Sequence, residues 1–174
     1  MGKFDFGAAQ EKAEKEGLIS GGYLKLKEGA NRMRVVSEAI PHPSEFTDQK
    51  TGKTTKTFKW LLYVIDRVDG TVKPFFMAPT IARMIADLQR SDDYGFDSVP
   101  MPYDITVNAK NAGKMTVEYT VMAARQNTPL TLAEEAAVGT AKPLHEFQQT
   151  IYEKSGVPAS TRAASPFDPD DIPA

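Results

Sequence analysis

The run Phe58-Lys59-Trp60-Leu61-Leu62-Tyr63-Val64-Ile65-Asp66 constrains this chain more than any other segment. Aromatic and β-branched side chains dominate it, and they fit a pleated, half-buried sheet. Asp69-Gly70 follows, a dipeptide that favours the tight turns of hairpins. Thr71–Met77 then reads as the returning strand. A lone hairpin is marginal in water, so other segments must complete a sheet.

Two-residue alternation supplies them. Tyr23-Leu24-Lys25-Leu26-Lys27 and Arg32-Met33-Arg34-Val35 alternate, with Gly29 and Asn31 between them, as one bulged strand or two short ones. Ser37–Thr57 contains Pro41, Pro43 and Gly52 and is expected to be a long loop. Pro79-Thr80 opens a helix with Ile81, Met84, Ile85 and Leu88 at helical spacing, ending before Asp92. Tyr103–Ala109 is a fourth strand, Lys110–Lys114 a turn, and Met115–Ala123 a fifth strand. Thr131 with Glu134 forms a capping-box pattern, and Leu144–Lys154 can form a further helix. The expected fold class is therefore all-β with added helices. Five strands with a helix between the third and fourth match an OB-type Greek-key barrel. The domains expected are an N-terminal arm (1–20), the barrel (21–126), a helical extension (127–155) and a disordered acidic tail (156–174).

With 174 residues, 41% of them hydrophobic, the chain can bury a core. It has no cysteine, which excludes a disulfide scaffold and thiolate zinc. His42 and His145 are its only histidines and leave little for a metal or a Ser-His-Asp triad, so no metal and no cofactor are expected. The longest apolar run, Trp60–Ile65, is too short to span a bilayer. No secretory signal is recognisable, and a soluble, cytoplasmic protein is the expectation.

Net charge is −2, but it is unevenly spread: residues 21–125 carry 15 basic and 12 acidic groups, residues 126–174 carry 3 and 7. A basic body with an acidic end hints at polyanion binding. Sequence-independent capture of single strands needs cations for the phosphates and flat rings for the bases. Lys50, Lys53, Lys56 and Lys59 recur every third residue, with threonines between. Lys110 and Lys114 sit on the turn before the last strand, and Lys25, Lys27, Arg32 and Arg34 on the polar phase of the first. In an OB barrel both loops flank the ligand face. Candidate stacking rings are Trp60, Tyr63, Phe75 and Phe76. Phe75 and Phe76 point to opposite faces, so one should lie outside the core; Tyr63, beside Lys59, is the better choice for an exposed ring. Self-association is a further possibility for such a barrel.

The chain ends Pro166-Phe167-Asp168-Pro169-Asp170-Asp171-Ile172-Pro173-Ala174. This tail resembles the acidic tip of bacterial single-stranded-DNA-binding proteins, departing from it at Ala174. Phe167, Asp168, Asp170, Asp171, Ile172 and Pro173 would then contact partner proteins. The body resembles the single-stranded-DNA-binding proteins of tailed bacteriophages. The resemblance lies in Gly22–Gly29 with Arg32-Met33-Arg34, Tyr63–Arg67 with Lys73-Pro74-Phe75-Phe76-Met77, and Pro100–Ile105. It implies an OB fold, binding of single-stranded DNA by residues that include Lys73, no enzymatic activity, and work in phage replication, recombination and repair inside the infected host. Replication or recombination proteins would be the tail's partners. Two other readings stand beside it. One is a metal-dependent nuclease using Asp66, Asp69, Asp92, Asp93, Asp97 or Asp104; the other is an OB-type protein-interaction module, in which Trp60 and Tyr63 would be buried.

Overall fold

The computed structural model describes residues 23–47 and 50–155. The expected N-terminal arm and acidic tail lie outside the described residues. Six strands and three helices follow in order: β1 (Gly29–Val35), β2 (Ile40–Thr47), β3 (Thr54–Asp66), β4 (Val72–Met77), α1 (Pro79–Arg90), β5 (Ile105–Lys110), β6 (Glu118–Ala123), α2 (Leu132–Thr140) and α3 (Leu144–Ser155). All strand pairs are antiparallel.

β3 organises the sheet. Residues 54–61 pair with β2, residues 60–65 with β4, and residues 64–66 with β1. A strand has two edges, so β4 takes one while β2 and β1 share the other end to end. β5 then pairs with β1, and β6 with β5. No ladder joins β4 to β6 among the described residues, so the pairing does not close. The β3–β4 turn is the expected one: Gly70 takes φ 74°, and the Asp69 carboxylate accepts from the Thr71 N–H and hydroxyl at 3.0 and 2.7 Å.

Three expectations are corrected. The expected loop Ser37–Thr57 contains β2 and the start of β3, so the described residues hold six strands rather than five. Pro41 and Pro43 do not prevent β2, because prolines two residues apart lose N–H groups on one edge only, and among the described residues β2 pairs with β3 alone. Tyr23–Lys27 forms no strand, although Leu24 is buried and donates its N–H to the Pro74 carbonyl. Met115 lies fully exposed in the turn before β6, not on a strand face.

The two faces of the sheet are both covered, differently. On the inner face, Met33, Val35, Leu62, Val64, Phe75, Met77, Ile105 and Val107 form the main core, with Tyr119 and Val121 packed against it. α1 closes this face through Ile81, Ala82, Ile85 and Leu88; Pro79 starts it where a missing N–H costs nothing. On the outer face, Leu61 and Phe76 pack with Phe147 and Ile151 of α3. Among the described residues no helix is long and apolar enough to cross a membrane.

Candidate nucleic-acid interface

β4 pairs no further along β3 than Trp60, so, among the described residues, 54–59 bond to β2 alone and form a two-stranded ribbon. Lys50 and Lys53 stand at its tip and Lys56 farther down, all exposed. Strand alternation puts Lys56, Phe58 and Trp60 on the inner face. Phe58 and Trp60 are both half-buried and meet edge to face, ring centres 5.0 Å apart at 82°. Trp60 also borders an apolar cleft of about 250 Å³ between the ribbon's base and α1, lined by Leu62, Met77, Ile85 and Phe96, with Glu38 and Gln89 as polar lining. An aromatic ring pair beside a lysine ribbon can take flat ring systems that carry negative charge.

The opposite end of the sheet gathers the second group of cations. Gly29 pairs with Ala109, which brings Lys27 to the end of the sheet that carries Lys110 and Lys114. Lys25, Lys27, Lys110 and Lys114 are exposed. The Asn31 side chain holds Lys27 by its backbone at 2.9 Å in both directions. The Glu28 carboxylate accepts from the N–H groups of Asn111 and Ala112 at 3.2 and 2.8 Å, fixing the turn that presents Lys110 and Lys114.

Between these ends the outer face carries an arginine cluster. Asp104 receives Arg32 Nε at 3.0 Å, Arg34 Nε at 2.7 Å and Arg67 Nη2 at 3.1 Å. Burial opposes its charge, but Arg34 and Arg67 hold the carboxyl below the usual carboxylate range. Arg67 also binds Glu134 of α2 at 2.8 Å. Burial disfavours the Arg67 cation, yet Asp104 and Glu134 push its pKa up.

Several residues expected at a DNA surface are committed elsewhere. Arg34 is buried and gives its remaining bonds to the Thr128 and Met101 carbonyls at 2.7 and 3.2 Å. Lys73 is held by Asp66 at 2.9 Å and Asp69 at 2.6 Å. Phe75 and Phe76 do point to opposite faces, but both are buried because α3 covers the outer one. Tyr63 is half-buried rather than exposed: its hydroxyl donates to the Lys142 carbonyl at 2.6 Å and its ring lies 6.2 Å from Phe147. Lys59 is exposed, and partial desolvation lowers its ammonium pKa. Arg32 remains largely open, with 61% of its side chain exposed. Phe167, Asp168, Asp170, Asp171, Ile172 and Pro173 lie outside the described residues.

Among the carboxylates of the nuclease reading, Asp66 and Asp69 share Lys73, while Asp104 is enclosed by arginines. Among the described residues no three His, Cys, Asp or Glu side chains stand close enough to hold a metal. Arg67 and Glu134 were not expected in the cluster. Neither carries a local signal, since Arg67 reads as a turn residue and Glu134 as a capping-box one; only Asp104 has an indirect signal, a carboxylate called for by Arg32 and Arg34 alternating on one strand face. No known family, curated protein or solved structure matches this chain.

Proposed function

We propose that this chain is a non-enzymatic single-stranded-DNA-binding protein on an OB-type fold. The strand order supports the fold. Taking β1 and β2 as two halves of one bent first strand, the order runs third, second, first, fourth, fifth, with α1 between third and fourth. The observation that carries the function is the ribbon, with half-buried Phe58 and Trp60 beside exposed Lys56 and with Lys50 and Lys53 at the tip. Rings stack on any base, and cations follow any phosphate, so such a surface binds without sequence preference. Lys25, Lys27, Lys110 and Lys114 add exposed cations at the far end of the sheet, and Arg32 adds one on its outer face. Arg34, Tyr63, Lys73, Phe75 and Phe76 serve the fold instead. The chain then coats DNA during phage replication, recombination and repair in the host cytoplasm, and its acidic end recruits replication or recombination proteins.

The burial of Phe76 and half-burial of Tyr63 beneath α3 favour a second reading, a protein-interaction module of the same fold. Fluorescence anisotropy with a labelled oligo-dT and a duplex of equal length separates the two. Preference for the single strand, weakening with salt, supports the first reading; indifference to both, or equal affinity, refutes it.

A further inference from the structure

A polar pocket of about 430 Å³ opens where β1, the β3–β4 turn and the N-terminus of α2 meet, lined by Arg32, Arg67, Asp104, Thr131 and Glu134. With Arg34 it holds three guanidinium groups against two carboxylates. Arg32 spends only Nε on Asp104, and its terminal nitrogens have no hydrogen-bond partner among the described residues. Arg67 faces the same space, with Nη1 on the Glu134 carboxylate at 2.8 Å. Planar guanidinium forks suit phosphate oxygens as well as carboxylates. Asp104 accepts from both arginines, from Arg32 Nε at 3.0 Å and Arg67 Nη2 at 3.1 Å.

α2 supplies the second observation. It buries no side chain, and Leu132 is 85% exposed. Glu134 stands in the capping-box position behind Thr131, whose hydroxyl accepts its N–H at 3.1 Å. Its carboxylate holds Thr131 at the cap and also reaches Arg67 in the β3–β4 turn at 2.8 Å. The helix is thus tied here by an ion pair and not by a core.

We infer that this pocket is a phosphate subsite of the single-stranded-DNA path, with Arg32 and Arg67 as ligands, and that Glu134 occupies the phosphate's place until DNA displaces it. The inference rests on the proposed function. It makes α2 an internal competitor: a backbone phosphate takes over Arg67 and adds Arg32, while Asp104 acts as a positioning residue.

Anisotropy of labelled oligo-dT over a range of KCl tests this with the full chain, Glu134→Gln and Arg32→Gln. Glu134→Gln removes the competing charge and should bind about two- to fivefold more tightly at low salt, the span of a surface ion pair, with the gain fading as salt screens it. Arg32→Gln should bind more weakly, its log–log salt slope shallower by about 0.7 for one lost phosphate contact. If the wild type binds but Glu134→Gln is no tighter, or Arg32→Gln keeps the wild-type slope, the subsite is refuted and the DNA-binding reading survives. If the wild type ignores oligo-dT, both fall.

Discussion

Acidification should loosen the outer face through His42. Its ring is 1% exposed, stacked on Tyr152 at 5.0 Å and edge-on to Phe76 at 5.0 Å. The Gln148 amide nitrogen lies 3.0 Å from His42 Nδ1 and 2.8 Å from the Pro41 carbonyl. An amide nitrogen only donates, so Nδ1 accepts and the ring is neutral. Burial first, and the charge of neighbouring Lys59 second, lower the His42 pKa from 6.5 to about 4. The unfolded chain keeps the ordinary value, so between about pH 4 and 6.5 it binds more protons than the folded one. Stability therefore rises with pH across that window. Above it both states are neutral and His42 contributes nothing; below it the full penalty applies. A gap of this size is worth about 3 kcal/mol. Urea unfolding followed by circular dichroism, at pH values from about 7.5 to 4.5, would read it. The wild type should lose roughly 2–3 kcal/mol that His42→Gln, which has no ring to titrate, does not lose. Parallel curves for the two proteins would refute the reasoning.

Asp104→Asn leaves the buried Arg34 cation without its carboxylate and should cost about 3–5 kcal/mol by the same urea assay, against under about 1 kcal/mol if the cluster is only a surface ornament. Tyr63→Phe removes the bond to the Lys142 carbonyl, costs about 0.5–1.5 kcal/mol and leaves oligo-dT affinity unchanged, since the ring is covered by the helical extension. Replacing Lys50, Lys53 and Lys56 together by Gln should flatten the log–log salt slope of oligo-dT binding by about 2, one phosphate per lysine; an unchanged slope would remove the ribbon from the DNA path.

What was legible in the sequence followed from strong local signals. The β3–β4 hairpin announces itself by propensity and by Asp69-Gly70, and α1 by Pro79 and its apolar stripe. Thr131 does cap α2 as expected. β2 was hidden because Pro41 and Pro43 signal a break wherever the edge position of a strand is unknown. The fate of the outer face was hidden for a different reason. Leu144, Phe147 and Ile151 form a stripe that must cover something, but periodicity does not say what, so α3 over Leu61 and Phe76 appears only in three dimensions. Alternation likewise places Arg32 and Arg34 on one face without telling that the first is open and the second enclosed. That difference rests on Thr128 and Met101, distant in the chain.

Trp60 is the only tryptophan and stands on the proposed interface, so its fluorescence reports the central claim directly. Titrating the full chain with oligo-dT at low salt should change the Trp60 emission saturably, and added salt should reverse the change. A duplex of equal length should do little, and Trp60→Ala should weaken oligo-dT binding, measured by anisotropy, by about 1–3 kcal/mol. Emission indifferent to oligo-dT, with Trp60→Ala binding as tightly as the wild type, would contradict the account.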